Sequence, residues 1–130
     1  MKKGKLIWHT QHKCFYTLLG EEYDIIGAYR ATREDDKLNV YTIDSDYFHE
    51  TAKEMFEKLG YDLDVDVEDG EITYIKVSDS RTATYFVDFY LDDKSYYAYG
   101  FAKGHDINNP IDMEMHKAID QQLKELRWVE

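Results

Sequence analysis

The stretch Tyr61–Ile72, YDLDVDVEDGEI, restricts the fold more than any other part of this 130-residue chain. Tyr61, Leu63, Val65 and Val67 alternate with Asp62, Asp64, Asp66 and Glu68. That period of two predicts a strand with one buried face and one carboxylate face. Asp69-Gly70 then predicts a two-residue hairpin turn, because such a turn needs positive φ at both central positions. A turn there sets Val67 opposite Ile72, Val65 opposite Tyr74, Asp66 opposite Thr73 and Asp64 opposite Ile75.

The other elements follow from the same rules. Lys5–Trp8, Cys14–Leu19, Tyr23–Thr32 and Leu38–Ile43 are apolar or aromatic runs with polar punctuation between them. They predict a four-stranded meander over residues 1–43. Asp44, Ser45 and Asp46 are good helix caps, and Phe48, Ala52, Met55, Phe56 and Leu59 form one helical stripe. A helix is therefore expected over about 46–59, stopped by Gly60. Glu71–Ser78, Thr84–Leu91 and Tyr96–Ala102 predict three more strands, and Lys103–Asn108 a loop. Asn109-Pro110 offers a cap followed by proline, so a second helix is expected over about 109–127, with Trp128 and Val129 folding back. The expected fold is a single α+β domain: about eight antiparallel strands, with both helices on one face, the segment 44–130 running α-β-β-β-β-α.

Charge narrows the function. Twenty-seven acids against 16 Lys and Arg give a net charge of −11. Nucleic-acid binding is driven by cations on the protein, so a direct nucleic-acid partner is not expected. A basic protein partner is. Cys14 is alone, which excludes an intramolecular disulfide and points to a reducing compartment. The first residues carry charge without a signal-peptide core, and no run is long enough to span a bilayer. A cytoplasmic protein without a membrane partner is the expectation.

Thr51–Tyr61, TAKEMFEKLGY, and Ala118–Trp128, AIDQQLKELRW, with the tyrosine-rich strands between them, resemble a group of uncharacterised small proteins. Those are encoded by phages and prophages of low-GC Gram-positive bacteria. The resemblance covers about residues 51–128 and implies a genomic origin, with no activity attached. Members of the group tend to carry Gly before the terminal Trp, where this chain has Arg127.

Four sets of residues are candidates for function. The first is an acidic ridge of Glu54, Glu57, Asp62, Asp64, Asp66, Glu68, Asp69 and Glu71, with only Lys58 among them. Alternate strand residues sit roughly 6.5–7 Å apart, a pitch comparable to consecutive phosphates. Solvated charges that blunt a sheet edge would look the same. Calcium or magnesium is not expected there, because carboxylates along a strand diverge. The second set, His9, His12 and Cys14, falls one ligand short of a structural zinc site. The third, His105-Asp106, is a minimal general-base pair without a nucleophile motif or a phosphate loop; His49 and His116 lie elsewhere. The fourth is the aromatic set Tyr90, Tyr97, Tyr99 and Phe101, suited to core packing or to a homodimer contact.

Together these point to a small non-enzymatic protein of phage type, with no cofactor and no metal. It would inhibit a basic, nucleic-acid-handling host protein by occlusion or nucleic-acid mimicry through the ridge, as anti-CRISPR and anti-restriction proteins do. The alternatives are a ligand-binding protein or enzyme using His105 and Asp106, and a self-associating structural or regulatory module.

Overall fold

The structure, a computed structural model, describes residues 4–21, 26–65 and 70–129. The class is α+β, with ten antiparallel strands in two five-stranded sheets and two helices. The chain divides into two compact units, Met1–Thr51 with Lys124–Glu130, and Ala52–Leu123.

In the first unit β1 (Leu6–His9), β2 (Cys14–Glu21), β3 (Ala28–Arg33) and β4 (Asp36–Asp44) form the expected meander. The proposed start of the third strand at Tyr23 lies outside the described residues. Asp44 caps a single 3-10 turn, Ser45–Tyr47, its carboxylate accepting from the Asp46 N–H at 2.9 Å. The chain then enters β5 (Phe48–His49), not a helix, and pairs with β1. Phe48 fits the helical spacing, yet its ring packs on Tyr29 of β3 at 5.3 Å. Strands β3 and β5 are not neighbours in the order β4-β3-β2-β1-β5, so that contact requires a curled sheet. The curl encloses Ile7, Tyr16, Leu18, Ala31 and Ile43.

The second unit begins with α1 (Ala52–Lys58), half the expected length. Its end is as the sequence predicts. Gly60 has φ +92°, the Gly60 N–H donates to the Glu57 carbonyl, and the Tyr61 N–H donates to the Phe56 carbonyl, both at 3.0 Å. This pair of bonds is a Schellman cap, and the apolar contact that accompanies such caps is the Phe56–Tyr61 ring pair. Strands β6 (Asp62–Val65), β7 (Glu71–Val77), β8 (Ala83–Tyr90), β9 (Ser95–Ala102) and β10 (His105–Ile107) follow as a sheet in the order β10-β9-β8-β7-β6. Strand β10 replaces the expected loop. Lys103 and Gly104, at φ +52° and +77°, form the two-residue turn that pairs Ala102 with His105.

Helix α2 (Met113–Glu125) starts four residues later than expected. Asp112 is the cap, its carboxylate accepting from the Met115 N–H at 2.8 Å. The Asn109 amide instead donates to the Tyr61 hydroxyl and to the Phe86 carbonyl. Ile111 therefore precedes the helix and is exposed, while Met115, Ala118, Ile119 and Gln122, spaced to lie on one helical face, are buried. Both helices meet the same face of this sheet at Tyr74: Phe56 stacks on its ring at 4.0 Å, and its hydroxyl donates to Gln122. Past α2, Val129 is exposed rather than folded back. Arg127 takes φ +62°, the left-handed conformation that glycine adopts without strain, and its guanidinium donates to the Lys13 carbonyl at 3.0 Å. Among the described residues no helix is long and apolar enough to cross a membrane.

Candidate binding face

The register of the second sheet sorts its side chains into two faces. One carries Ile72, Tyr74, Val87 and Phe89 beneath the helices. The other carries Asp62 on β6; Glu71, Thr73, Ile75 and Val77 on β7; Thr84, Phe86, Asp88 and Tyr90 on β8. It continues with Ser95, Tyr97, Tyr99 and Phe101 on β9 and Asp106 on β10. All four members of the aromatic set thus share one face.

The acidic ridge is divided by this arrangement. Strand β6 is an edge strand, and its register shifts between Leu63 and Val65. Asp62 faces Ile75 and Leu63 faces Tyr74, where the sequence predicts Asp64 opposite Ile75 and Val65 opposite Tyr74. Asp62 and Asp64 are exposed, but Leu63 is also 41% exposed, so this strand has no fully buried side. Glu54 and Glu57 ride on α1, on the helix-covered side, with Glu57 ion-paired to Lys53 at 3.1 Å. Asp62 and Glu71 lie on the opposite, aromatic face. Asp66, Glu68 and Asp69 lie outside the described residues.

At the centre of the aromatic face is a side chain that the candidate sets above pass over. Asp88, on the middle strand, is only 3% exposed. Its Oδ2 accepts from the Tyr99 hydroxyl at 2.6 Å and from the Tyr90 hydroxyl at 3.1 Å. Burial, and then the bond to Asp88, push the Tyr99 hydroxyl well above the usual phenol range. Burial and the Asp88 charge raise Tyr90 in the same direction. Both phenols therefore stay protonated and keep donating at neutral pH. Asp88 Oδ1 is buried with no hydrogen-bond partner among the described residues, and so is Ser95 Oγ. Around them Phe86 stacks on Tyr99 at 5.0 Å, Tyr90 meets Tyr97 edge-on at 5.6 Å, and Phe101 packs on both Phe86 and Tyr99. Tyr97 is 58% exposed, and Phe101 and Val77 are exposed farther along the same face. The sequence signal for Asp88 is an acid in the middle of an aromatic strand, Tyr85-Phe86-Val87-Asp88-Phe89.

The other candidates are placed as follows. His105 and Asp106 are adjacent on a strand and so face opposite sides of the sheet, which prevents the carboxylate from orienting the imidazole. Leu59, Tyr61, Lys76, Asn109, Pro110, Asp112 and Met115 line a pocket of about 150 Å³, below the few hundred Å³ of ordinary ligand sites. Among the described residues no three His, Cys, Asp or Glu side chains are placed to hold a metal ion. His9 and His12 stack at 3.9 Å, and the His12 N–H donates to His9 Nδ1 at 2.9 Å. Cys14 is buried, and burial raises its thiol pKa.

His9 yields a pH prediction. Its Nδ1 must be unprotonated to accept from the His12 N–H, and the ring is 2% exposed. Burial, with the neighbouring His12, lowers its pKa below the ordinary 6.5. On acidification the unfolded chain takes up this proton before the folded one does, so stability falls as pH drops below 6.5. The urea midpoint of the native chain should fall more between about pH 7 and about pH 5 than that of His9→Gln, whose side chain does not titrate. Equal falls would remove His9 as the cause.

Comparison with known protein families, with characterised proteins and with solved structures finds no match to the chain.

Proposed function

We propose that this chain is a non-enzymatic binding protein that covers a basic, nucleic-acid-handling surface of another protein, with the aromatic face of the second sheet as its contact. One observation carries this proposal. The described strand positions of that face hold five aromatic rings (Phe86, Tyr90, Tyr97, Tyr99, Phe101) and four carboxylates (Asp62, Glu71, Asp88, Asp106), with no Lys or Arg among them. Tyrosine-rich patches with few competing charges supply most of the energy at protein interfaces. The acids repel nucleic acid and attract the cationic surface that would otherwise hold it. Asp62 and Glu71 of the ridge contribute to this face, while Glu54, Glu57 and Asp64 contribute only to the wider field.

The test pairs the native chain with a Tyr97→Arg, Phe101→Arg variant; both side chains are exposed, so the variant should fold. Each serves as bait in a lysate of a low-GC Gram-positive bacterium. The captured protein is then bound to labelled duplex DNA or RNA and challenged with purified chain. The expected result is a basic protein that the native chain strips from its nucleic acid, with the variant weaker on the order of a hundredfold. Capture without displacement would overturn occlusion. A native chain that only pairs with itself in sedimentation would assign the face to a homodimer instead.

A further inference from the structure

We infer that Asp88 and Ser95 form a socket for one arginine side chain of the basic partner. This rests on the binding role proposed above and names the chemistry of its central contact. Asp88 sits directly across from Tyr97, and Tyr90 directly across from Ser95, so Asp88 and Ser95 are diagonal neighbours on one face. Diagonal neighbours on an antiparallel pair are roughly 7–8 Å apart, close enough for one ligand group to touch both. Three side-chain polar atoms among the described residues are buried without a hydrogen-bond partner, and two of them are Asp88 Oδ1 and Ser95 Oγ. The third, Arg33 Nε, lies 3.0 Å from Asp35 Oδ1. Buried polar groups in folded proteins are almost always satisfied, so two orphans on one exposed face imply a donor that arrives from outside.

The chemistry of that donor follows from what surrounds it. Asp88 Oδ2 is already occupied by two tyrosine hydroxyls, and their donation fixes the carboxylate plane. The remaining oxygen and the Ser95 hydroxyl both accept. A guanidinium has five N–H donors in a fixed planar fork and stacks on aromatic rings, so it can serve both acceptors while lying against Tyr90, Tyr97 or Tyr99. An ammonium is a point charge, more strongly hydrated, and gains less from the flat rings. Tyr97 is the most exposed ring of the set, and exposed side chains change rotamer in picoseconds to nanoseconds. Tyr97 sits directly across from Asp88, so a guanidinium that reaches the carboxylate lies against its ring.

Fluorescence anisotropy with labelled nona-arginine and nonalysine peptides tests the socket on the full chain. Native protein should bind the arginine peptide more tightly than the lysine peptide. Asp88→Asn should weaken arginine binding roughly tenfold or more, the scale of losing a charge-assisted hydrogen bond. A double variant, Asp62→Asn with Glu71→Gln, removes twice the charge from the rim of the same face and should cost less than Asp88→Asn alone. If Asp88→Asn disturbs the far-ultraviolet spectrum, Tyr97→Ala replaces it, since an exposed ring can be removed without disturbing the sheet. Equal affinities of the native chain and both site variants would overturn the socket, as would absence of arginine-peptide binding or equal affinity for the two peptides. The two proposals fail separately. A partner stripped from its nucleic acid equally well by Asp88→Asn leaves occlusion standing without the socket. Asp88-dependent arginine binding without displacement leaves the socket without occlusion.

Discussion

Phe56→Ala is expected to cost about 3–5 kcal/mol, the range for emptying an aromatic core position. Phe56 is fully buried, lies flat against Tyr74 at 4.0 Å, and meets Tyr61 and Phe89 edge-on at 6.0 and 6.2 Å. It is also the residue whose carbonyl receives the Tyr61 N–H in the cap that ends α1. A seven-residue helix has almost no stability of its own, so α1 depends on tertiary packing, and Phe56 is the larger of its two buried side chains. Removing the ring takes away both the docking contact and the apolar half of the cap. A loss of that size is a large part of the 5–15 kcal/mol typical of folded domains. Urea titration followed in parallel by tryptophan fluorescence and by far-ultraviolet circular dichroism measures it. Both tryptophans, Trp8 and Trp128, lie in the first unit, so separate transitions would show the second unit unfolding by itself. A loss below about 1 kcal/mol would mean that α1 is not held through Phe56.

Much of the second unit was legible because its strands alternate cleanly. Residues 84–90 sort into the two faces of a strand with a period of two, and Gly60 marks the end of α1. The errors have identifiable causes. Phe48 lies four residues before Ala52, so it satisfies helical spacing while its strand pairing with His9 is invisible locally. His105–Ile107 is too short to show alternation, and only the Lys103-Gly104 turn signals it. Asn109-Pro110 and Asp112 are both plausible caps; the choice is made by Tyr61 and Phe86, which engage the Asn109 amide. Leu63 keeps the helix-covered side that the alternation predicts, opposite Tyr74, yet stays exposed because β6 is an edge strand; the bulge that follows it then shifts the expected register. For the candidate face, the grouping of Tyr90, Tyr97, Tyr99 and Phe101 could be read from spacing. The orphaned oxygen of Asp88 could not, because it depends on how two tyrosine hydroxyls from different strands divide one carboxylate.

Gly100→Ala is expected to destabilise the chain by about 1–3 kcal/mol, against the general tendency of alanine to stabilise a strand position held by glycine. The reason is space. A Cβ at Gly100 would meet Ile107 Cγ1 at 3.0 Å, the Thr84 carbonyl oxygen at 3.1 Å and Tyr85 Cδ1 at 3.1 Å. The carbonyl belongs to the backbone of the central strand and cannot rotate aside, so relief has to come from a shift of β9 or β10. Strand β10 is three residues long and pairs with β9 alone, Ile107 lying directly across from Gly100. It is the weaker element, and its amides should exchange with solvent faster in the variant, while the slope of the urea transition stays the same. An unchanged or higher midpoint would show that β10 moves outward at no cost. Gly100 is on the helix-covered side of the sheet, whereas Asp88 and Tyr97 are on the other. The variant should therefore lose stability and keep its preference for the arginine peptide. Losing that preference together with β10 would mean that the socket depends on how the whole sheet is packed, not on Asp88 and its tyrosines alone.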